Sequence, residues 1–287
     1  MSQLRLLTLP YHLGRERVGM GNGPDQLLAA GAESRARARG LTVGVDETTT
    51  AQRPDHEAGA TFAVLREHAR QVRRALDDGA VPLTFGGNCN TAIATAAALG
   101  GQDRLGVIWF DAHGDANTAD TTTSGFLDGM SLAMLVGWCW RALTDSVPGF
   151  KAVPERNVLL AAGRAFDAGE QQSLQHSDIT VVPASHMRTP AELTDHFLPA
   201  LDALAGRVDR LYVHIDLDAI DPADGHVNGF AAPHGPTLDA LAACLDHVGE
   251  RGQPAAASIS SYDPACDGDG AACQSALLLY DRLLSML

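Results

Sequence analysis

The sequence predicts an α/β protein: a parallel sheet with helices packed against both faces. Three observations carry this. Apolar runs of strand length alternate with helical patterns from end to end. Several strand runs are apolar at every position, as in parallel strands buried on both faces. Right-handed crossovers between such strands place the connecting helices on both sides of the sheet.

The elements follow in order. A leucine-rich strand over 4–9 precedes a helix over 24–39, with Pro24 in its first turn and Gly40 as its stop. Strand 41–45 leads to a helix over 56–76, whose Phe62, Leu65, Ala69, Val72 and Leu76 recur at helical spacing. Strand 81–85 and a helix over 91–99 come next, then strand 105–110. A polar, threonine-rich stretch at 115–128 separates that strand from a helix over 131–140. Strands 158–162 and 179–182 precede a helix over 191–204. Strand 211–215 opens into an irregular stretch at 221–236, rich in Gly, Pro, His and Asn. A helix over 238–248, strand 256–259 and a helix over 272–287 close the order. No linker composition and no repeat interrupts it, so residues 1–287 read as one domain.

Composition narrows the function. At 45% hydrophobic, 287 residues can bury a large core, hiding roughly 75% of the unfolded surface. A net charge of -14 argues against nucleic acid as partner. The one basic cluster, Arg66, Arg70, Arg73 and Arg74, reads as a solvated helix face. Five cysteines form no CxxC pair, which suits a reducing cytoplasm. Neither a secretory signal nor an apolar run of ~20 residues is present, so no membrane span is expected.

Three strand ends carry the chemistry. Gly86-Gly87-Asn88-Cys89-Asn90, Asp111-Ala112-His113-Gly114-Asp115 and His214-Ile215-Asp216-Leu217-Asp218 each follow an apolar run. In doubly wound sheets, the segments beyond the carboxyl ends of the strands build the site. Alternate residues of an extended chain point the same way, so Asp111, His113 and Asp115 are expected to share a rim, as are Asp216 and Asp218. Carboxylates gathered there would repel and desolvate one another. A pair of divalent cations relieves this and supplies an activated water. Oxygen-rich ligation with one imidazole suits Mn²⁺. The remaining histidines lack metal-type spacing; His214 is at most an outer neighbour of the site, and His226 and His234 are loop candidates.

With these motifs, the chain resembles the ureohydrolase family of arginase and agmatinase, from Gly19-Met20-Gly21-Asn22-Gly23-Pro24 to Asp263-Pro264. The segments DAHGD and DLDAIDP are the most specific. The resemblance implies a single three-layer α/β/α domain with an eight-stranded parallel sheet and two Mn²⁺ ions per chain. Cys89, Asp111, Asp115 and Asp216 would hold one ion; His113, Asp111, Asp216 and Asp218 the other. Asp115 would shuttle a proton to the leaving nitrogen. Asn117 and Ser124 would hold an α-carboxylate, and Asp167 and Glu170 an α-amino group, so the expected partner is a small-molecule substrate, an amino acid carrying a guanidine-like group. Members are often trimers or hexamers, which leaves a monomer or such a homo-oligomer as the expected states.

Three positions depart from the family pattern. Cys89 stands where a histidine ligand is usual, and its thiolate would admit other divalent metals. Asp128 replaces a histidine that assists proton transfer, and Ser261 replaces a glutamate that pairs with the guanidinium. Together they would favour a less basic guanidine. The expected reaction is therefore Nω-hydroxy-L-arginine to L-ornithine and hydroxyurea, as in a Cys-bearing branch that serves antibiotic biosynthesis. The alternatives are L-arginine to ornithine and urea, another guanidino or formimino acid, or a non-catalytic member that binds metal or an amino acid.

Overall fold

The computed structural model describes residues 3–52 and 54–287. Its main sheet holds eight strands: β1 (Gln3–Leu9), β2 (Thr42–Glu47), β3 (Val81–Gly86), β4 (Leu105–Phe110), β5 (Val158–Gly163), β6 (Thr180–Pro183), β7 (Arg210–Asp216) and β8 (Ala256–Ser260). They lie in the order β2-β1-β3-β8-β7-β4-β5-β6, every pairing parallel. All eight strand regions read from the sequence are present, with ends shifted by a residue or two.

The uniformly apolar strands serve two cores. On β4, Ile108 and Phe110 join one face with Val213, Ile215, Leu83 and Phe85. That face is covered by α1 (Gly23–Ala29), α2 (Ala32–Ala38), α7 (Leu198–Ala205), α8 (Leu238–Arg251) and α9 (Ala271–Ser285). Val107 and Trp109 point the other way, toward α4 (Thr91–Leu99) and α5 (Ser131–Leu135). Long α3 (Glu57–Asp77) packs beside α4 on that side, its Phe62, Leu65 and Ala69 inward. Arg66, Arg70, Arg73 and Arg74 lie on its outer face, where Arg70 and Arg74 pair with Glu67.

Three predicted helices are broken. The stretch 24–39 forms two helices because Gly31, at φ 99, turns the chain between them. The stretch 131–140 is helical only to Leu135; Gly137 (φ 83) and Trp140 (φ 52) then take left-handed conformations. The stretch 191–204 passes through a π-turn at Leu193–Phe197 before α7, which carries Pro199 in its first turn. Elements that escaped the periodicity include a four-residue helix over Arg141–Thr144. A two-residue hairpin also pairs Tyr11–His12 with Arg15–Glu16, and α6 spans Ala168–Gln175.

Candidate active site

The four central strands, β3, β8, β7 and β4, end at one edge, and the residues that follow them meet there. Beyond β3 the chain passes hard against the hairpin: a Cβ on Gly87 would lie 2.2 Å from the Tyr11 carbonyl oxygen. Only glycine permits that approach, and it seats Cys89 just ahead of α4. Cys89 is fully buried; its Sγ donates to Asp216 Oδ2 at 2.9 Å and lies 3.4 Å from Ser261 Oγ.

The aspartates are pinned by neighbours. Asp111, fully buried, accepts from Trp109 Nε1 at 2.9 Å and from the His113 amide at 2.7 Å. Asp216 accepts from the Asp218 amide at 2.9 Å. Asp218 accepts from the Ala112 amide at 3.2 Å and from Asn228 Nδ2 at 3.3 Å. The same Asn228 amide donates to the Ser261 carbonyl at 2.9 Å, tying the ends of β7 and β8 together.

Two groups of potential ligand atoms result, each with its members within 4.8 Å of one another: Cys89, Asp111 and Asp216, and Asp111, His113 and Asp218. Asp111 belongs to both, so the two groups adjoin. Asp115 lines the same cavity beside them but belongs to neither tight group. Strand alternation does not align Asp111, His113 and Asp115, contrary to the expectation from their spacing. β4 ends at Phe110 and Asp115 has φ 49, so a loop rather than an extended strand brings the three to one rim. Asp218 likewise sits in a 3-10 turn after Asp216.

Desolvation raises the Asp111, Asp115 and Asp216 carboxyls above the ordinary aspartate range, and the neighbouring carboxylates push them the same way. Burial, with Asp216 and Asp115 close by, also raises the Cys89 thiol. His113 is raised too, but in its case the rise favours the charged form. Desolvation works against its charge, but Nδ1 lies 3.4 Å from both Asp111 and Asp218, and these contacts carry its pKa up to about 12. Asp218, despite its burial, is held low by the His113 contact. The rim thus concentrates negative charge and holds a proton as its cation. Asp115 Oδ2 is buried with no hydrogen-bond partner among the described residues. An orphaned carboxylate oxygen beside two overlapping ligand groups fits divalent cations, which would displace protons from these donors.

A cavity of about 580 Å³ opens onto the rim. Its walls include Asn117, Ser124, Asp128, Asp167, Glu170 and Ser261, so every substrate contact expected from the sequence lines it. Asp128 accepts from Asn88 Nδ2, the Asn90 amide and Ser131 Oγ. Burial outweighs those bonds and lifts its carboxyl to about 6. Asn117 donates to Asp167 at 3.0 Å, and Ser124 Oγ accepts from the Phe126 amide at 3.2 Å. Asp167 and Glu170 also form the capping box of α6. Glu170 accepts from the Ala116 and Asp167 amides, yet burial carries its pKa to about 7. A Cβ on Gly114 would collide with this glutamate, 2.7 Å from Cδ. Ser261 sits at φ 69, an unusual conformation for a non-glycine residue.

Several cavity residues escaped the sequence reading. Met20, Glu57, Phe126, Asn228 and Phe230 all line it. Asn88 and Asn228 lay within or beside flagged stretches; Glu57, at the first turn of α3, carried no local signal. His214 lies fully buried beneath the rim, Nδ1 bonded to Ser258 and its ring 4.1 Å from that of Trp109. His226 faces a separate cavity with Cys266 and Asp269, and His234 lines neither cavity.

An eight-stranded parallel sheet with buried carboxylates at its carboxyl edge defines a hydrolase of the ureohydrolase type. The chain belongs to the arginase family, whose profile matches residues 2–285. It is 32% identical to an arginase of Bacillus caldovelox over 238 residues, 78% of each chain. To an arginase of Bacillus subtilis it is 27% identical over 289 residues, covering 98% of this chain and 97% of that one. The solved structure of the Bacillus caldovelox arginase superposes with a TM-score of 0.88 at 26% identity, covering 99% and 98% of the two chains.

Proposed function

We propose that this chain is a dinuclear-manganese amidinohydrolase that cleaves a guanidino-type α-amino acid, with L-arginine, giving L-ornithine and urea, as the first substrate. The carrying observation is the pair of ligand groups sharing Asp111 at the floor of the cavity. The relatives' names favour L-arginine over the hydroxylated substrate expected from the sequence. Residues 1–287 would act as one catalytic domain.

Two divalent ions held by Cys89, Asp111, His113, Asp115, Asp216 and Asp218 would supply water activation near neutral pH. The protein does the rest. Asp115, with its unpartnered Oδ2, accepts a proton and returns one to the leaving nitrogen. Asp128, lifted to about 6, exchanges protons near neutrality from the same wall. Asp167 and Glu170 hold the α-amino group, while Asn117 and Ser124 hold the carboxylate. The five cysteines are free thiols, which supports a cytoplasmic site of action. Among the described residues, no helix is long and apolar enough to cross a membrane.

A specific contact favours a second reading. Ser261 Oγ lies 3.4 Å from Cys89 Sγ, so a neutral hydroxyl stands at the floor. A guanidinium would find no carboxylate from that position. Nω-hydroxy-L-arginine, whose hydroxyguanidine is less basic, would need none. Mn²⁺-loaded protein given each compound separately, with ornithine as the common product, decides between them. Faster turnover of L-arginine supports the first reading, and faster turnover of the hydroxylated compound the second. Turnover of neither rejects both.

A further inference from the structure

Two stretches flagged as irregular meet over the cavity through one aromatic pair. Phe126, from the loop after β4, stacks on Phe230, from the loop after β7, with ring centroids 5.0 Å apart and planes 28° apart. Each loop is otherwise tied to itself or to the scaffold. Thr118, Thr121, Thr122 and Ser124 bond within the first loop. Asp221 and Arg164 hold the second, through the Gly235 amide and the Ala232 carbonyl. Phe230 is 50% exposed, and both rings line the cavity that holds His113 and Asp115.

The chemistry of the walls is divided. Polar groups serve the reacting end at the floor, and Asn117, Ser124 and Asp167 serve the amino-acid end. Phe126 and Phe230, with Met20, supply apolar surface on the same walls. A substrate with two polar ends joined by an alkyl chain matches that division.

We propose that the Phe126–Phe230 stack is a specificity-determining clamp, closing the pocket over the alkyl chain that links the guanidine to the amino-acid end. The clamp rests on the function proposed above. Because it acts through a ring pair, either ring alone is ineffective.

The test uses Mn²⁺-loaded full-length chain, Phe126→Ala, Phe230→Ala and the double variant. Steady-state kinetics are run with L-arginine and Nω-hydroxy-L-arginine, L-ornithine binding is measured by calorimetry, and mass by light scattering. Each single variant is expected to raise KM and the ornithine Kd about fivefold, a factor set by one aromatic contact. The value of kcat should stay within about twofold, and the double variant should be no worse than either single one, since coupled residues are not additive. Phe230→Tyr, which keeps the ring pair, should retain most of the affinity, whereas Phe230→Leu should behave like Phe230→Ala. Unchanged KM and Kd, or losses that simply add, overturn the clamp. So does a variant that changes only the oligomeric mass, which would mark the pair as a contact between copies. A wild type that neither cleaves nor binds these compounds rejects the function and the clamp with it. A competent wild type with unaffected variants rejects the clamp alone.

Discussion

At the floor of the cavity, Asp111, Asp216 and Asp218 are at most 6% exposed and are fixed by backbone amides or by Trp109. At its mouth, Ser124, Asp167 and Phe230 stand in solvent on loops and at a helix cap. The floor is built from strand ends whose positions the sheet dictates. The mouth is built from segments that the sheet merely tethers. Chemistry common to a fold family belongs to the first kind of construction, and substrate choice to the second. Cys89 and Ser261 are the places where this division is crossed. Both are buried floor residues, and both bear on which guanidine is accepted.

The sharpest way to break the comparison is to change the floor. Asp216→Asn removes a carboxylate that also takes the Cys89 hydrogen bond. It is expected to abolish turnover and lower manganese content, while Ser124→Ala at the mouth leaves manganese content unchanged and raises KM. Equal effects of the two on metal content would erase the distinction.

A smaller effect is expected one step behind the floor. Trp109→Phe keeps the ring but loses the donor to Asp111 Oδ2. Manganese affinity should fall about 10–100-fold, as when the partner of a ligand is lost, with the fold retained by circular dichroism. Unchanged affinity would mean that Asp111 is held adequately by the His113 amide alone.

The mildest effect is a pH dependence. Asp128, lifted to about 6, Glu170, lifted to about 7, and Asp115 and Asp216, both raised by burial, bind protons more tightly folded than unfolded. That stabilisation is complete below the unfolded carboxyl pKa of about 4 and fades as pH rises through 6 and 7. Buried, neutral His68 and His214 act oppositely below about pH 6.5, so the carboxyl trend is read above it: metal-free protein should melt at a lower temperature at about pH 8 than at about pH 6.5. Manganese should reverse the trend, because metal binding to Asp115 and Asp216 releases their protons. A metal-free melting temperature that rises across this range would contradict the burial of these carboxyls.

The same division explains what was legible in the sequence. The strands could be read because each is apolar on both faces, and DAHGD and the HIDLD stretch could be read because their ligands lie within a few residues of a strand end. Their direction could not. Asp115 reaches the rim through a left-handed turn, which residue spacing does not encode. Glu57 and Phe230 join the cavity from places distant in the chain, through loop packing alone. The double duty of Asp167 and Glu170, as cap of α6 and wall of the cavity, became visible only with α6 itself, a helix with little amphipathic pattern.

Counting metal tests the central claim most directly. Purified chain, loaded with Mn²⁺ and freed of excess, would be measured by inductively coupled plasma mass spectrometry against protein concentration. The two ligand groups sharing Asp111 predict close to two ions per chain. One ion or none, in protein shown to be folded, would contradict a dinuclear floor.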